Sequence, residues 1–394
     1  MINRLPRTTL ALLLIPAIWA FAAGNATNPA TNPATKPATS SAPTVLREIT
    51  GVSFEKLALR DESGRPLKVT HCLKGPKGVD YFWGGGLYSV SQPGIAKTLI
   101  GPGNDRTGSV YDCVFDGRYI WVNLLIRIPK IDLTSRIRYL DTQTGKSYQL
   151  TEKDWELDNF GKLDMNVVKP GMIVIGRAVG AIDGTSQVDL VTATDTGAKV
   201  DLIGEWKHAD RKKNRKDWES TDAFFWPSTF HSVIGTDPAS GKATTLLFIS
   251  RQSGSESDII SDHDLVLDIE TRKLTAYPFV MAGLTLSFGD TGYEWEWSIK
   301  NQAYIVYRHH MSDKPDTFVL PKDAQHPIFY DGRTMLIGQH KFWVGTELGR
   351  PFTEYKTDVW TQTDATPCYS NHYGILQYDI QAQGMFILRL TYAK

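Results

Sequence analysis

Four arginines stand at the ends of short apolar runs, at positions that a repeated fold would make equivalent. They are Arg177, Arg251, Arg308 and Arg389, and Gln339 takes the same place in a fifth run. Guanidinium groups bind carboxylate and sulfate through paired hydrogen bonds. If the runs are equivalent strands of a ring, these side chains surround one channel mouth and bind an anionic ligand, such as a uronate or sulfated sugar. The alternative is that each arginine is a solvated strand end or pairs with a neighbouring acid.

Three histidines accompany these positions. His309 and His310 follow Arg308 directly, and His340 follows Gln339, so all three are expected in loops on the same rim. Imidazole there could act as a general base, which makes the three histidines candidate catalytic residues. Adjacent strand residues point to opposite sides, so His309 and His310 cannot both face one ion. The alternative is that they are ordinary loop histidines.

Two further segments carry charge in a pattern. Lys207–Lys216 contains six basic residues interleaved with acids, which indicates an exposed insertion. Glu294–Trp297 alternates carboxylates with tryptophans, so on a strand the two acids share a side. That pair could serve a glycosidase, and the alternative is an edge strand with buried tryptophans and exposed acids. The chain has no zinc-type Cys/His spacing and no cofactor motif, so no metal is predicted and any cofactor stays unknown.

The elements that would position these residues are short strands. Runs of apolar or β-branched residues are closed by Gly, Asp, Asn or Pro, and no long helical period follows the N-terminal segment. The clearest runs are Tyr119–Val122, Met172–Ile175, Leu246–Ile249, Ala303–Val306, Met335–Ile337 and Met385–Leu388. This pattern predicts an all-β fold.

A repeat favours one all-β architecture, the β-propeller. Phe115–Val122 is similar to Tyr330–Ile337, and each contains an Asp-Gly hairpin turn before its apolar strand. A loop, a third strand, an acidic turn and a fourth strand follow, which is one propeller blade. The apolar strand recurs near residues 81, 119, 172, 246, 304, 335 and 385, and seven copies predict seven blades. The step from 304 to 335 is short for four strands, so six blades are the alternative.

The ring needs a closing strand, and we expect Phe54–Leu73 to supply one against Met385–Thr391. Trp83–Tyr88 and Phe342–Thr346 carry Trp and Gly residues typical of propeller repeats. At these stretches the chain resembles exported seven-bladed β-propeller proteins with regulator-type repeats. The resemblance is clearest over residues 79–151, implies the fold, and implies no activity because propellers host many functions.

The N-terminus is typical of an exported protein. Arg4 and Arg7 precede an apolar run, and Ala20–Ala22 provides a cleavage signal, so residues 1–22 are predicted to be a signal peptide. An uncleaved anchor is the alternative. Residues 23–44 repeat Pro, Ala and Thr and are predicted to be a disordered linker, which leaves residues 45–394 for the propeller domain.

The three cysteines, Cys72, Cys113 and Cys368, do not form a disulfide framework. In an oxidising compartment one pair could form, and Cys72 with Cys113 is the pair expected from neighbouring repeats. The alternative is three buried unpaired thiols.

The net charge of the chain restricts the kinds of binding partner that we expect. The formal net charge is zero, which disfavours nucleic acid as a partner, and signal cleavage would leave no membrane span. We therefore expect an exported propeller that binds a glycan, anionic in particular, or another exported protein. The alternative is a carbohydrate-active enzyme, a lyase or hydrolase on an acidic polysaccharide, with the arginines neutralising a uronate carboxylate.

Overall fold

A computed structural model describes most of the chain that follows the predicted linker. The described residues are 47–103, 108–128, 131–150, 164–179, 185–207, 226–236, 243–252, 264–271, 274–277, 284–288, 291–310, 315–330, 332–338, 340–356, 367–379 and 382–393. The predicted signal peptide and linker lie outside these ranges. A membrane-spanning helix is not among the elements that these residues form.

Within the described ranges the strands form seven sheets, numbered here along the chain. Sheet 1 contains β2 (Arg60–Asp61), β3 (His71–Lys74), β4 (Asp80–Trp83), β5 (Leu87–Gln92) and β6 (Ile95–Ile100), with a short 3-10 turn at Pro76–Gly78. Sheet 2 contains β7 (Ser109–Phe115), β8 (Tyr119–Ile128), β9 (Ile131–Asp141) and β10 (Ser147–Gln149). Sheet 3 contains β11 (Asp164–Lys169), β12 (Met172–Val179), β13 (Thr185–Thr194) and β14 (Gly197–Lys207).

The remaining four sheets follow the same plan. Sheet 4 contains β15 (Trp226–Thr236), β16 (Ala243–Gln252), β17 (Asp264–Asp268) and β18 (Leu274–Tyr277). Sheet 5 contains β19 (Leu284–Phe288), β20 (Thr291–Ser298), β21 (Ala303–His310) and β22 (Asp316–Val319). Sheet 6 contains β23 (Ala324–Tyr330), β24 (Arg333–Gly338), β25 (Lys341–Gly345) and β26 (Thr353–Lys356). Sheet 7 contains β27 (Cys368–Ser370), β28 (Gly374–Asp379), β29 (Gly384–Tyr392) and β1 (Ile49–Lys56).

The apolar runs form strands that are buried on both sides. In β8, Ile120 and Val122 are 0% exposed and pack in a cluster with sheet 1. Trp121, on the other side of the same strand, packs against Ile173 and Ile175 of sheet 3. A sheet held between two neighbours needs apolar residues on both faces, which is why these strands are continuous apolar runs.

The sheets are arranged around an axis formed by their first strands. First strands of successive sheets contact each other where β7 meets β11, β11 meets β15, β15 meets β19, and β27 meets β3. Four-stranded antiparallel sheets with their first strands together are the blades of a propeller. The predicted all-β propeller fold is confirmed. Seven sheets are described, and the number of blades itself stays a prediction.

One blade combines the two ends of the domain. β1 pairs with β29 from Ile49 opposite Tyr392 to Lys56 opposite Phe386, so the N-terminal strand completes sheet 7. The C-terminal partner of this closure was predicted, but the predicted segment, Phe54–Leu73, overlaps only the end of β1. Residues after Lys56 instead enter sheet 1, beginning with β2.

Two of the seven recurrent apolar strands are third strands, not second strands. The runs near residues 304 and 385 belong to β21 and β29, and the second strands of those sheets are β20 and β28. Both inner strands of a blade are buried, so an apolar run does not distinguish one from the other. The exchange explains the short step between residues 304 and 335, because a third strand is followed closely by the next blade.

Buried aspartates in the turns join neighbouring sheets. Asp116, in the β7–β8 turn, accepts hydrogen bonds from Trp121 Nε1 at 2.7 Å and from the backbone N–H of Gly171 in sheet 3 at 2.8 Å. Asp80 of sheet 1 accepts one at 2.7 Å from the backbone N–H of Asn371 in sheet 7. These carboxylates connect sheet to sheet where apolar contact alone would set no register.

A third aspartate closes a turn inside sheet 2. The buried Asp141 accepts a hydrogen bond from Arg118 Nη2 at 2.8 Å and others from the backbone N–H groups of Gln143 and Thr144. The hydrogen bond from Arg118 is the main reason that the pKa of Asp141 falls from 3.8 to about 2.

The depressed pKa of Asp141 predicts a pH-dependent contribution to stability. A carboxylate whose pKa is lower in the folded state stabilises the fold above its unfolded pKa, and the stabilisation is lost as the pH falls toward its folded pKa. Asp141→Asn should therefore unfold more easily than the wild type at pH 7, by about 1–3 kcal/mol. The difference should shrink between about pH 5 and pH 2.

Urea unfolding of both proteins across this pH range measures the effect. Asp201→Asn is the matched control, because Asp201 pairs at 2.8 Å with an exposed lysine, Lys199. Its stability should stay within about 0.5 kcal/mol of the wild type. A pH-independent difference for Asp141→Asn would contradict the assignment.

The shared blade predicts the effect of removing β1. A chain that starts at residue 45 keeps the closing strand and should melt like the full-length protein. A chain that starts at residue 57 exposes the edge of β29 and loses the packing of Val52 and Phe54. We expect its melting temperature to fall by about 10 °C or more, or the protein to aggregate. Thermal melts followed by circular dichroism compare the two, and equal melting temperatures would show that β1 does not close the ring.

Candidate functional site

The four predicted arginines are divided between two faces of the propeller. We call the edge where each first strand begins the upper face, and the opposite edge the lower face. Arg177 and Arg251 stand near the ends of the second strands β12 and β16, at the upper face. Arg308 and Arg389 stand near the ends of the third strands β21 and β29, at the lower face. Adjacent antiparallel strands end at opposite edges, so the predicted single ring of arginines is wrong.

What these arginines contact differs from one to the next. Arg389 pairs with Glu55 at 2.9 Å across the exposed surface of β29 and β1, as the surface-pair alternative predicts. The side chains of Arg177 and Arg251, and the whole of Gln339, lie outside the described residues. A ligand-binding role for these residues stays a prediction. Among the described side chains, that of Arg308 lines a cavity.

This cavity, which we name the sheet 5–6 pocket, lies at the lower face and has a volume of about 360 Å³. Three aromatic residues, two arginines and one acid line it, together with Gly332, Thr334, Thr346 and Leu348: Tyr293, Phe329, Tyr330, Arg308, Arg333 and Glu347. The third strand of sheet 5 ends here beside the β23–β24 turn and the β25–β26 loop of sheet 6.

The guanidinium group of Arg308 is held in a defined orientation. Its Nε and Nη2 donate to one oxygen of Asp316, on the adjacent strand β22, at 3.0 and 2.7 Å. The group stacks over the Phe318 ring at 5.0 Å, and Tyr293 lines the same pocket. Arg308 thus pairs with a neighbouring acid, as the alternative predicts, and with 29% of its side chain exposed it also reaches the pocket surface.

The second arginine of the pocket is buried. Arg333 donates from Nη2 to the backbone oxygen of Arg47 at 2.5 Å and stands 5.6 Å from the centre of the Tyr392 ring. These contacts tie the pocket wall to the segments just before β1 and at the end of β29. The guanidinium group of Arg333 is thus held in place by the backbone and by an aromatic ring.

Tyrosine supplies the neutral polar group of the pocket. Tyr293 packs against Phe329 with 4.6 Å between ring centres. Burial raises the pKa of Tyr293, although the neighbouring Arg308 lowers it in part. The phenol therefore stays protonated at neutral pH and can donate a hydrogen bond to a ligand oxygen.

A second, more apolar groove adjoins the pocket and shares Leu348 with it. Its volume is about 710 Å³, and it runs along β22 toward the outer strands of sheet 6. Phe318, Trp343 and Phe352 form its aromatic wall, and Pro321 and Pro351 flank them. The pocket and this groove thus adjoin at Leu348, at the boundary of sheets 5 and 6.

The predicted histidines do not meet on one rim. His309 and His310 lie within β21, opposite Gly292 and Thr291 at the lower face, and their side chains lie outside the described residues. His340 is exposed in the β24–β25 turn, at the upper face, with a positive φ of 56°. The expectation of three loop histidines on one rim is therefore wrong. His309 and His310 belong to a strand, and His340 lies at the opposite face.

The two other charged segments are described only in part. Lys207 ends β14, and residues 208–216 lie outside the described residues. On β20, Trp295 packs in the cluster between sheets 5 and 6, whereas Trp297 is 48% exposed, so the tryptophans are not both buried as expected. The side chains of Glu294 and Glu296 are not among those described.

Arg333 and Tyr293 were not identified from the sequence as site residues. Arg333 occupies the same place after an Asp-Gly turn as Arg118, in the very repeat that predicts the blades. Both arginines bond to groups at the lower face, Arg118 to Asp141 and Arg333 to Arg47. The repeated Asp-Gly-Arg turn was thus a usable signal for a cation on this face.

A histidine near the upper face also escaped the sequence analysis. His71, on the first strand β3, stacks on Trp83 at 5.1 Å between ring centres, and its Nδ1 contacts Thr70 Oγ1 at 2.8 Å. Burial lowers the pKa of His71 to about 4, so the imidazole is neutral at pH 7. No motif marks it, because its environment depends on Trp83, which is brought opposite His71 by the pairing of β3 with β4.

Solved structures of β-propeller proteins align with the chain at TM-scores below 0.5. Oligogalacturonate lyase from Vibrio parahaemolyticus has a TM-score of 0.44 and 10% identity, over 87% of this chain and 98% of that one. The Cps50 (Swd1) propeller domain from Myceliophteria thermophila has 0.44 and 11%, over 88% and 100%. The propeller domain of the Trilobed protease from Pyrococcus furiosus has 0.42 and 10%, over 73% and 84%.

At these identities the likeness concerns the fold alone. No protein-family model and no curated protein sequence matches the chain. The fold and the pocket define a β-propeller with an aromatic and cationic cavity between two adjacent blades.

Proposed function

We propose that this chain is an exported β-propeller that binds an acidic glycan in the sheet 5–6 pocket. One observation carries the proposal: the oriented guanidinium group of Arg308 stands beside aromatic rings in a cavity of about 360 Å³. Cavities of this size are typical of small-ligand sites that combine apolar walls with a few polar groups.

The chemistry of the lining matches the two parts of an acidic sugar. A guanidinium group binds a carboxylate or sulfate with geometric specificity, as Arg308 already does with the carboxylate of Asp316. Aromatic rings such as Tyr293 and Phe329 offer flat apolar surfaces against which a pyranose can pack. Glu347, which pairs with Arg350 at 3.0 Å, can accept hydrogen bonds from sugar hydroxyls at the pocket edge.

The adjoining groove favours an oligosaccharide or polysaccharide as the ligand, in preference to a single sugar. A polysaccharide that enters the pocket with one charged unit can continue along the wall formed by Phe318, Trp343 and Phe352. The predicted signal peptide supports the same proposal, since glycans of this kind occur outside the cell. The alternative ligand is another exported protein. Absence of glycan binding in the experiment below would favour that alternative.

A catalytic role in the pocket has less support than binding. A lyase needs a base beside the sugar, and the described residues that line the pocket include Tyr293, whose raised pKa keeps it protonated. Of the three histidines predicted as bases, His340 lies at the upper face, away from the pocket, and the side chains of His309 and His310 lie outside the described residues. The geometry therefore favours recognition of the charged group over proton abstraction.

The proposal predicts a loss of affinity when Arg308 is removed. The probe is an oligosaccharide of galacturonate, and its matched control is the same oligosaccharide with methyl-esterified carboxylates. We expect binding of the acid form to weaken about 10- to 100-fold in Arg308→Ala, because one charge-assisted hydrogen-bonded contact is lost. Binding of the ester should be weak and unchanged. Isothermal titration calorimetry measures both.

The matched control variant is Arg389→Ala, which removes an exposed lower-face arginine that is not among the residues lining the pocket. It should bind like the wild type. Arg308→Lys should recover only part of the affinity, because an ammonium group lacks the planar fork. Equal affinity for acid and ester, equal losses in Arg308→Ala and Arg389→Ala, or no binding of the acid form would each refute the proposal, provided that thermal melts show folded variants.

A further inference from the structure

Two cysteines meet where the first and last sheets of the chain adjoin. Cys72 lies in β3, the first strand of sheet 1, and Cys368 begins β27, the first strand of sheet 7. These two strands contact each other on the inner side of the ring. The cysteines thus come from opposite ends of the domain and stand at the same junction.

The two side chains share one apolar cluster. Cys72 is 4% exposed and packs with Phe82 and Leu376, and the half-buried Cys368 packs against the same cluster. The two thiols also interact electrostatically, because each one shifts the pKa of the other. Cys72 Sγ also lies 3.5 Å from the backbone oxygen of Tyr369, the residue after Cys368.

Cys113 belongs to a different environment. It is fully buried in the cluster between sheets 1 and 2, with Leu73 and Val122. Cys72 and Leu73 are neighbours on β3 and point to opposite faces of sheet 1, so Cys72 faces away from Cys113. The Cys72–Cys113 pair expected from the sequence is therefore wrong.

The local electrostatics distinguish the two thiols at the junction. The hydrogen bond from Cys72 lowers the pKa of Cys368, whereas burial raises the pKa of Cys72. Burial also raises the pKa of Cys113. Cys368 is thus both the more exposed and the more readily ionised member of the pair, which are the properties of an attacking thiol.

We propose that Cys72 and Cys368 form a disulfide that covalently closes the propeller at its inner edge. The geometry carries this proposal: the two cysteines lie on adjacent first strands and in one cluster, and Cys72 Sγ is 3.5 Å from the backbone oxygen of the residue after Cys368. The proposal goes beyond glycan binding and does not depend on it.

The reaction needs a disulfide oxidant, for which oxidised glutathione is a sufficient example. The Cys368 thiolate attacks one sulfur of the oxidant, and the first glutathione leaves as a thiolate that takes up a proton. Cys72 then loses its proton and attacks the Cys368 sulfur of the mixed disulfide, which releases the second glutathione. Two protein thiols are oxidised, one glutathione disulfide is reduced to two thiols, and no other reactant is needed.

The bond would reinforce a closure that is otherwise made by hydrogen bonds. β1 and β29 close sheet 7 at its outer edge, and the disulfide would join sheets 7 and 1 at the inner edge. It would close a loop of about 300 residues, and long loops give the largest constraint on the unfolded chain. Opening of the ring would then require unfolding of a blade instead of separation at the junction.

The test treats the folded full-length protein with oxidised glutathione and counts its free thiols. We expect the three thiols to fall to one, and peptide mapping to show the Cys72 peptide joined to the Cys368 peptide. The oxidised protein should melt about 5 °C or more above the reduced protein. Adding a reductant should reverse both changes.

Cys113→Ser is the matched control, and it should form the same cross-link with no thiol left. Cys72→Ser should stop at a mixed disulfide between Cys368 and glutathione, which preserves a measurable result even if stability falls. Three free thiols after oxidation, a cross-link that includes Cys113, or a wild-type protein that stops at the mixed disulfide would each overturn the proposal.

Discussion

The structure depends on one constraint: each blade has two apolar faces, and both must be covered. Ile120 and Trp121 are neighbours on one strand, face opposite sheets, and are both fully buried. A row of such sheets would leave an apolar face at each end, and closing the row into a ring removes both ends. The last strand along the chain, β29, does not continue into the first blade. The strand that the N-terminal segment adds to sheet 7 links the first and last blades instead and so meets this requirement.

Apolar contact brings the blades together, and polar contacts fix how they meet. Asp116 and Asp80 each accept a backbone hydrogen bond from a turn of the adjoining sheet, which holds that turn against the aspartate's own sheet. At the boundary of sheets 5 and 6, polar and aromatic side chains instead leave a cavity open. The sheet 5–6 pocket is thus a junction between blades where complete packing is replaced by a site.

The sequence was sufficient for the fold class, because the Asp-Gly turn and the apolar strand repeat together at residues 115–122 and 330–337. It was not sufficient to rank strands within a blade, because burial makes second and third strands equally apolar. Because of that ambiguity, Arg308 and Arg389 were predicted on the same face as Arg177 and Arg251, whereas they lie at the lower face. The pocket could not be predicted as a unit, since Tyr293, Arg308 and Arg333 come from three strands whose meeting depends on blade order. The same holds for Cys72 and Cys368, which are distant in sequence and adjacent only because the ring closes.

The closure of sheet 7 also places the two ends of the domain side by side. The backbone N–H of Ala393 donates to the backbone oxygen of Glu48 at 2.8 Å. The first and last strands of the domain therefore begin and end beside each other. A short peptide joining these ends would turn the domain into a continuous circle without disturbing any blade. The fold then does not depend on which blade comes first along the chain. A circularly permuted gene that begins at another turn should encode the same folded domain.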